Sequence, residues 1–587
     1  MLRQFGVFAA MTLAFAPAFA APNPADEKLA KLFREYLDAE FDRHPVFATS
    51  QGNHDHDDRL DDLSPKARAA DAAEAKAWLA KLKEFPATEL SDGGRIDLAI
   101  WQHALNAQLE QQKLGLDPFE FDPRIFGNYV SDSVFSLLTQ STLPRERNIE
   151  NAAGRIGYIP IVVAAAMDKS DPKLLSRCPP ILVEVAIKRN LGTIAFYEKD
   201  IFALAKETAA TSPLKKPCDA AVKALKEYQQ FLEKDLLPRS KGDWRLGKEA
   251  FAKKLILELD AGVTADEVLK QAEAEAFRVE AEMYAVAKQL WSKLFAKKAV
   301  PPDDAAGRRE TISRVLDELG KDHGPPETIV DDARKTVEKI RTFLREKEIL
   351  TLPDPDRCKI IEMPEFQRGF SAAYLNPAPP LDPKADSLYA VSPPPADWPE
   401  ARRTAFQKEY NRAMLQILTI HEAYPGHYVQ LEYANRHPSL IRKVFYSGIY
   451  AEGWAVYTEQ MMLDQGYGDG DFSLRLHQLK FYLRAVVNAI LDHKMHCTAM
   501  TDDEAFKLLT ETGFQTEGEA IGKIARAKQS SCQLSTYFVG RMAFYNLRQK
   551  AQRHRGKDFV LGKYHEDVLN QGCISVKYLP QLLGVGK

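Results

Sequence analysis

The 587-residue chain is predicted to be mainly α, a large helical body with one short β element. Three features of the sequence point that way. Apolar residues recur at helical spacing from Asp26 to about Glu110 and from Asn148 to Leu236, in stretches rich in Ala, Leu, Glu and Lys such as Ala220 to Leu236. Ala265 to Lys297 and Asp331 to Lys347 read as long amphipathic helices, the first begun near Thr264-Ala265-Asp266. Between Leu350 and Pro399, by contrast, prolines crowd at 353, 355, 364, 377, 379, 380, 383 and 393 to 395, which excludes long helices.

Taken in order, the first twenty residues read as a secretory signal. Arg3 supplies the charged start, Phe5 to Ala16 the apolar stretch, and Ala18-Phe19-Ala20 a small-x-small cleavage site, with Pro17 arguing against a retained anchor. No later run reaches the length a spanning helix needs. The mature protein is therefore expected to be exported, to a bacterial periplasm, without stable membrane insertion. Residues 21–350 form an N-terminal helical region, 351–400 a Pro-rich segment, and 401–587 a C-terminal helical region, together forming one unit. In the middle segment Cys358 to Met363 and Ser387 to Val391 are short extended runs. They serve either as an edge strand for substrate backbone or as an ordered linker.

Ala401 to Tyr424, Ser447 to Asp464, Phe481 to Cys497 and Ser535 to Gln552 are the C-terminal helices. The first ends in His421-Glu422-Ala423-Tyr424-Pro425-Gly426-His427, and the second carries Tyr450-Ala451-Glu452-Gly453-Trp454. Catalytic zinc takes three ligands from His and Glu, while a further carboxylate takes a proton from the attacking water. His421, His427 and Glu452 supply the first set and Glu422 the second. In the common His-Glu-x-x-His arrangement the imidazoles are four residues apart. A separation of six on a straight helix would swing His427 about 120° away from His421. Pro425 removes a donor and crowds the preceding turn, and Gly426 tolerates positive φ, so the helix is expected to break there and let both imidazoles reach one ion. Glu459, seven residues after Glu452, is either a partner that orients a ligand histidine or a surface charge.

These motifs resemble the bacterial "domain of unknown function 885" family, whose His-Glu-x-x-Pro-Gly-His and Glu-Gly-Trp patterns are intact here. The resemblance extends from Asp42 through Ser64-Pro65, to Trp244-Arg245-Leu246-Gly247-Lys248, and to Cys358 through Tyr374. It implies kinship with zinc-dependent peptidases, a mostly helical fold with a central cleft, and the metal roles above. Downstream, Arg484-Ala485, Asp492 and His496, then Gln533, Tyr537 and Gly540, match further family segments. The chain departs from that pattern at Val487, at Arg526-Ala527 and at Ser531-Cys532, where substrate contacts are expected. Tyr537 and His496 are candidate donors to the oxyanion. Arg484, Arg526 and Arg541 are candidates for gripping a substrate carboxylate.

The expected function is hydrolysis of short peptides by an exported zinc enzyme with Glu422 as general base. Hydrolysis of a non-peptide amide, a lyase step, and a helical binding protein with a structural metal are the alternatives. With 79 basic against 82 acidic side chains, the basic ones dispersed, nucleic acid is excluded as a partner. Six cysteines in an oxidising compartment predict at least one disulfide, among Cys497, Cys532 and Cys573.

Overall fold

The structure is a computed structural model that describes residues 23–167, 176–363, 368, 371–395 and 397–586. The expected signal segment lies outside these residues. Helix accounts for 70% of the structure, against three short strands among the described residues, a mainly α fold. Among the described residues no helix is long and apolar enough to cross a membrane.

Helix starts follow from local chemistry. Pro24–Arg43 (α1) begins where the Asn23 side chain accepts from the Ala25 and Asp26 N–H groups, with Pro24 in the first turn, where no N–H is needed. It buries Leu29, Phe33, Leu37 and Phe41, spaced by four, against Asp92–Lys113 (α2), with the Phe33 and Trp101 rings edge to face at 5.0 Å. Ile441 and Val444 join this core from the far end of the sequence. A second core gathers Arg145–Gly157 (α3) and Lys215–Gln230 (α4).

The largest core packs Ala265–Leu294 (α5) and Ile329–Glu346 (α6) with the C-terminal helices. Thr264 opens α5 with a reciprocal cap to Glu267. The expected helix from Ala401 to Tyr424 is two helices, Glu400–Glu409 (α7) and Arg412–Glu422 (α8). Asn411 causes the division, because its side-chain oxygen accepts from the Ala413 and Met414 N–H groups and starts a new helix. Then follow His427–Asn435 (α9), Gly448–Asp464 (α10), Phe472–Cys497 (α11), Glu517–Gln529 (α12) and Thr536–Arg555 (α13). Helix α11 begins nine residues before its expected start, where Asp471 caps Ser473.

Strands β1 (Cys358–Glu362), β2 (Ala373–Asn376) and β3 (Ser387–Val391) make one sheet in the order β1-β3-β2. β1 runs parallel to β3 and β2 antiparallel, with Leu375 opposite Tyr389. Buried Tyr389 bonds Thr419 of α8 at 3.0 Å, which ties the sheet to the helix that ends in His421. β2 was not expected, and it is the strand whose outer edge lies against α8.

No disulfide joins any two of the six cysteines, which corrects the expected bridge. The Cys532 thiol points at the Phe251 carbonyl and the Cys573 thiol at the Ser447 carbonyl, on different elements. Burial pushes both thiols up, Cys573 to about 12.

Candidate metal centre

Helix α8 ends at Glu422 and α9 begins at His427, so the chain breaks across Ala423 to Gly426. The break is pinned from outside. The Trp454 indole N–H donates to the Pro425 carbonyl at 2.8 Å, and Tyr424 and Tyr428 both donate to Asp356. The need for glycine differs from the one expected. Gly426 has φ of −71°, well outside the left-handed region. A Cβ there would lie 1.9 Å from the His421 carbonyl oxygen and 2.3 Å from that of Ile420, so the position admits no side chain because the backbone folds back onto α8.

Glu452 arrives from the first turns of α10. That helix lies against α13 with no side chain between Gly453 and Gly540: a Cβ on Gly453 would sit 2.4 Å from the Gly540 carbonyl carbon. Close approach of two backbones thus sets how far the neighbouring Glu452 reaches toward α8.

The break and the close approach bring three ligand atoms, from His421, His427 and Glu452, within 4.8 Å of one another. The Nε2 atoms of both histidines are 3.5 Å from the same Glu452 oxygen, Oε2. The imidazole rings meet edge to face, with centroids 4.8 Å apart. That carboxylate oxygen is buried and has no hydrogen-bond partner. An orphaned buried oxygen equidistant from two ring nitrogens is costly unless a cation joins the three, so the donor set fits a divalent metal. The remainder of Glu452 and His427 stays partly open to solvent, at 19% and 12% of their side-chain areas.

Glu459 is completely buried, and its Oε1 accepts from His421 Nδ1 at 2.7 Å. That bond takes the Nδ1–H and turns Nε2 toward Glu452. Of the two roles open to Glu459 from sequence, burial rules out the surface charge, and its bond to His421 accords with the other. Burial raises the Glu459 carboxyl to about 7 against the pull of His421. Burial acts against protonation of His421, but Glu452 and Glu459 outweigh it and hold its pKa well above the ordinary value. Burial would likewise raise Glu452, and the two imidazoles reverse this, holding it well below the carboxylate range. A proton and a metal ion compete for the same nitrogen lone pair; in this pattern the proton stands where a cation would be.

Glu422 lies next to the trio without joining it. Its Oε2 accepts the Leu375 N–H of β2 at 3.1 Å. Burial raises its pKa, partly offset by His421 and His427. Because Ala372 and Tyr374 face β3, the Ala373 and Leu375 peptide groups point to the free edge of β2, beside Glu422.

The other expected residues divide. Tyr537 is on this side of the molecule, its phenol pushed up by burial and by the Glu452 charge, and its oxygen accepts from Arg526 at 3.1 Å and Gln533 at 3.2 Å. Arg484 stands one ring behind His421, over Phe481, and its guanidinium is taken up by Glu519 and Tyr410. His496 and Arg541 are corrections. His496 is buried between Phe251 and Trp244, its Nε2 against the Ala527 and Ser530 carbonyls, and burial lowers its pKa to about 4. Arg541 is buried between the Tyr482 and Tyr545 rings and bonds Gln460, so its guanidinium faces packing and not the cluster.

Two residues near the cluster carried no sequence signal. Tyr446, in the link before α10, is 60% exposed and stands in the field of the Glu452 and Glu422 carboxylates. Lys523 of α12 is buried and lies in the field of Glu452; one lysine among many is indistinguishable from a solvated charge until the helix is placed.

A family model described as a bacterial protein of unknown function (DUF885) matches residues 45–583. Two solved structures are similar over nearly their whole lengths. A candidate lipoprotein of unknown function from Shewanella oneidensis is 30% identical with a TM-score of 0.78, over 95% of this chain and 99% of that one. A candidate lipoprotein from Colwellia psychrerythraea is 18% identical with a TM-score of 0.77, over 96% and 99%, and shows the shared fold. No curated protein matches the chain.

Proposed function

This chain belongs to the bacterial DUF885 family, and from that premise we propose that it is an exported zinc-dependent hydrolase of short peptides. The observation that carries the reading is the buried, unpartnered Glu452 Oε2, held 3.5 Å from two imidazole nitrogens, with Glu422 beside them and not used as a fourth ligand. A purely structural zinc site is more often closed by four protein ligands, and three with an adjacent carboxylate suit catalysis. The likeness to candidate lipoproteins and the absence of a membrane-crossing helix among the described residues accord with export.

Zinc held by His421, His427 and Glu452 would supply Lewis acidity to a carbonyl oxygen and make water more acidic. The remaining steps belong to side chains of this protein. Glu422 takes one proton from the attacking water as the new C–O bond forms, then delivers it to the amine nitrogen as the C–N bond breaks. The Leu375 N–H holds one Glu422 oxygen and leaves the other for this transfer. Tyr537 is suited to the developing oxyanion: Arg526 and Gln533 both donate to its oxygen, so its own hydrogen remains free to donate. The open edge of β2 beside Glu422 favours a peptide over other amides, because an extended backbone can pair there as an added strand.

Metal analysis of purified protein followed by digestion of a peptide mixture tests the reading. Zinc near one equivalent and new amino termini support it. Zinc without turnover leaves a binding protein with a structural metal, and turnover of non-peptide amides alone leaves the alternative hydrolase.

A further inference from the structure

Helix α12 presents Glu519, Lys523 and Arg526 four and then three residues apart, on one helical face. Both ends of that face are placed. Glu519 accepts from Arg484 at 2.9 Å and from the Tyr410 hydroxyl at 3.2 Å, while Arg526 donates to Gln533 at 2.7 Å and to the Tyr537 oxygen at 3.1 Å. Lys523 lies between them, only 6% exposed.

The charges here do not balance. Glu409 takes both bonds of Lys480, at 2.6 and 2.7 Å, and Glu519 takes Arg484. The Glu452 charge is engaged by the two imidazoles. Lys523 has no hydrogen bond or ion pair among the described residues, and Arg526 meets only the neutral Gln533 and Tyr537. Two cations one helical turn apart therefore stand without a carboxylate at ion-pair distance, and the Lys523 stem is buried while its Nζ is not among the enclosed unpartnered atoms and so stays open to an incoming anion. Burial first, then the guanidiniums of Arg484 and Arg526, push the Lys523 ammonium well below its ordinary pKa. A buried ammonium is expensive unless an anion meets it.

We propose that Lys523 and Arg526 form a receptor for a carboxylate of the substrate, next to the cluster of His421, His427 and Glu452. This deepens the peptidase reading and rests on it: the peptides processed carry an anionic group on the α12 side of the reacting bond. The carboxylate comes either from the free C-terminus or from an acidic side chain.

The test is calorimetric titration of the mature protein carrying Glu422→Gln, which suppresses turnover, with trialanine, trialanine amide, and a tripeptide amide with aspartate at its centre. Trialanine is expected to bind about 10- to 100-fold more tightly than its amide, the usual range for a charge-assisted hydrogen bond. Adding Lys523→Met should abolish that preference, and Lys523→Arg should keep it. Should Lys523→Met fail to fold, the more exposed Arg526→Gln should lower the preference instead. Tight binding of the aspartyl amide alone assigns the carboxylate to a side chain. Equal binding of all three peptides, no binding of any, or a preference that survives the substitutions would overturn the proposal. Hydrolysis by the unmodified enzyme is scored separately. Charge-selective binding without cleavage removes the peptidase reading and keeps the receptor, and cleavage indifferent to charge does the reverse.

Discussion

Replacing Gly426 by alanine tests whether the break between α8 and α9 is what brings the two histidines together. The added Cβ would meet backbone oxygens at 1.9 and 2.3 Å, against a limit near 3.0 Å for real Cβ contacts. The turn must open by about 1 Å, an amount that costs on the order of 10² in activity when catalytic groups are misplaced. Overpacking adds about 1–3 kcal/mol of instability, and opening the turn weakens the Gly426 N–H bond to the Ile420 carbonyl, now 3.0 Å, by about another 1 kcal/mol. We therefore expect Gly426→Ala to lose about 2–4 kcal/mol in denaturant unfolding and to hold metal less tightly in chelator competition. Gly192→Ala is the matched control, since a Cβ there meets nothing within 4 Å; it should be neutral or stabilising by up to about 1 kcal/mol. The reasoning fails if Gly426→Ala unfolds within about 0.5 kcal/mol of the parent and keeps its metal.

Glu422→Gln should keep zinc and fold while turnover falls about 10²- to 10⁴-fold; unchanged turnover on a cleaved peptide would exclude Glu422 as the base. Glu459→Gln removes the charge that orients His421, so metal affinity should fall about 10- to 100-fold in competition with a chelator, and an unchanged affinity would return Glu459 to a packing role. Titration of thiols in denaturant should find six free cysteines, and fewer would revive the disulfide. His44 is opposed by burial, but Asp61 and Asp71, helped by Glu40, raise it from 6.5 to about 10. Its contribution to stability is thus fully present below pH 6.5 and lost between about 6.5 and 10. His44→Gln should flatten the fall in melting temperature over that window, and an unchanged slope would assign the fall to other groups.

The sequence by itself determined the helical class, two of the three strands, and the break at Pro425-Gly426. These rest on short-range rules: apolar spacing, proline's missing donor and β-branched runs all act within a few residues. It also singled out His421, His427, Glu422 and Glu452, because an imidazole pair beside carboxylates narrows the chemistry before any coordinates are known. What only the tertiary structure decided depends on partners far apart in the chain. Gly426 is required by backbone contact with the end of α8, not by a positive φ. Four-residue β2 is too short to announce itself and is held by pairing with β3. His496 and Arg541 share residue types with catalytic groups, yet they meet carbonyls and Gln460 in the packed interior. Lys523 is the converse case, a surface residue by composition that helix packing buries without an ion-pair partner among the described residues. Burial and pairing are properties of the assembled core, and a linear pattern carries no record of which side chains meet across it.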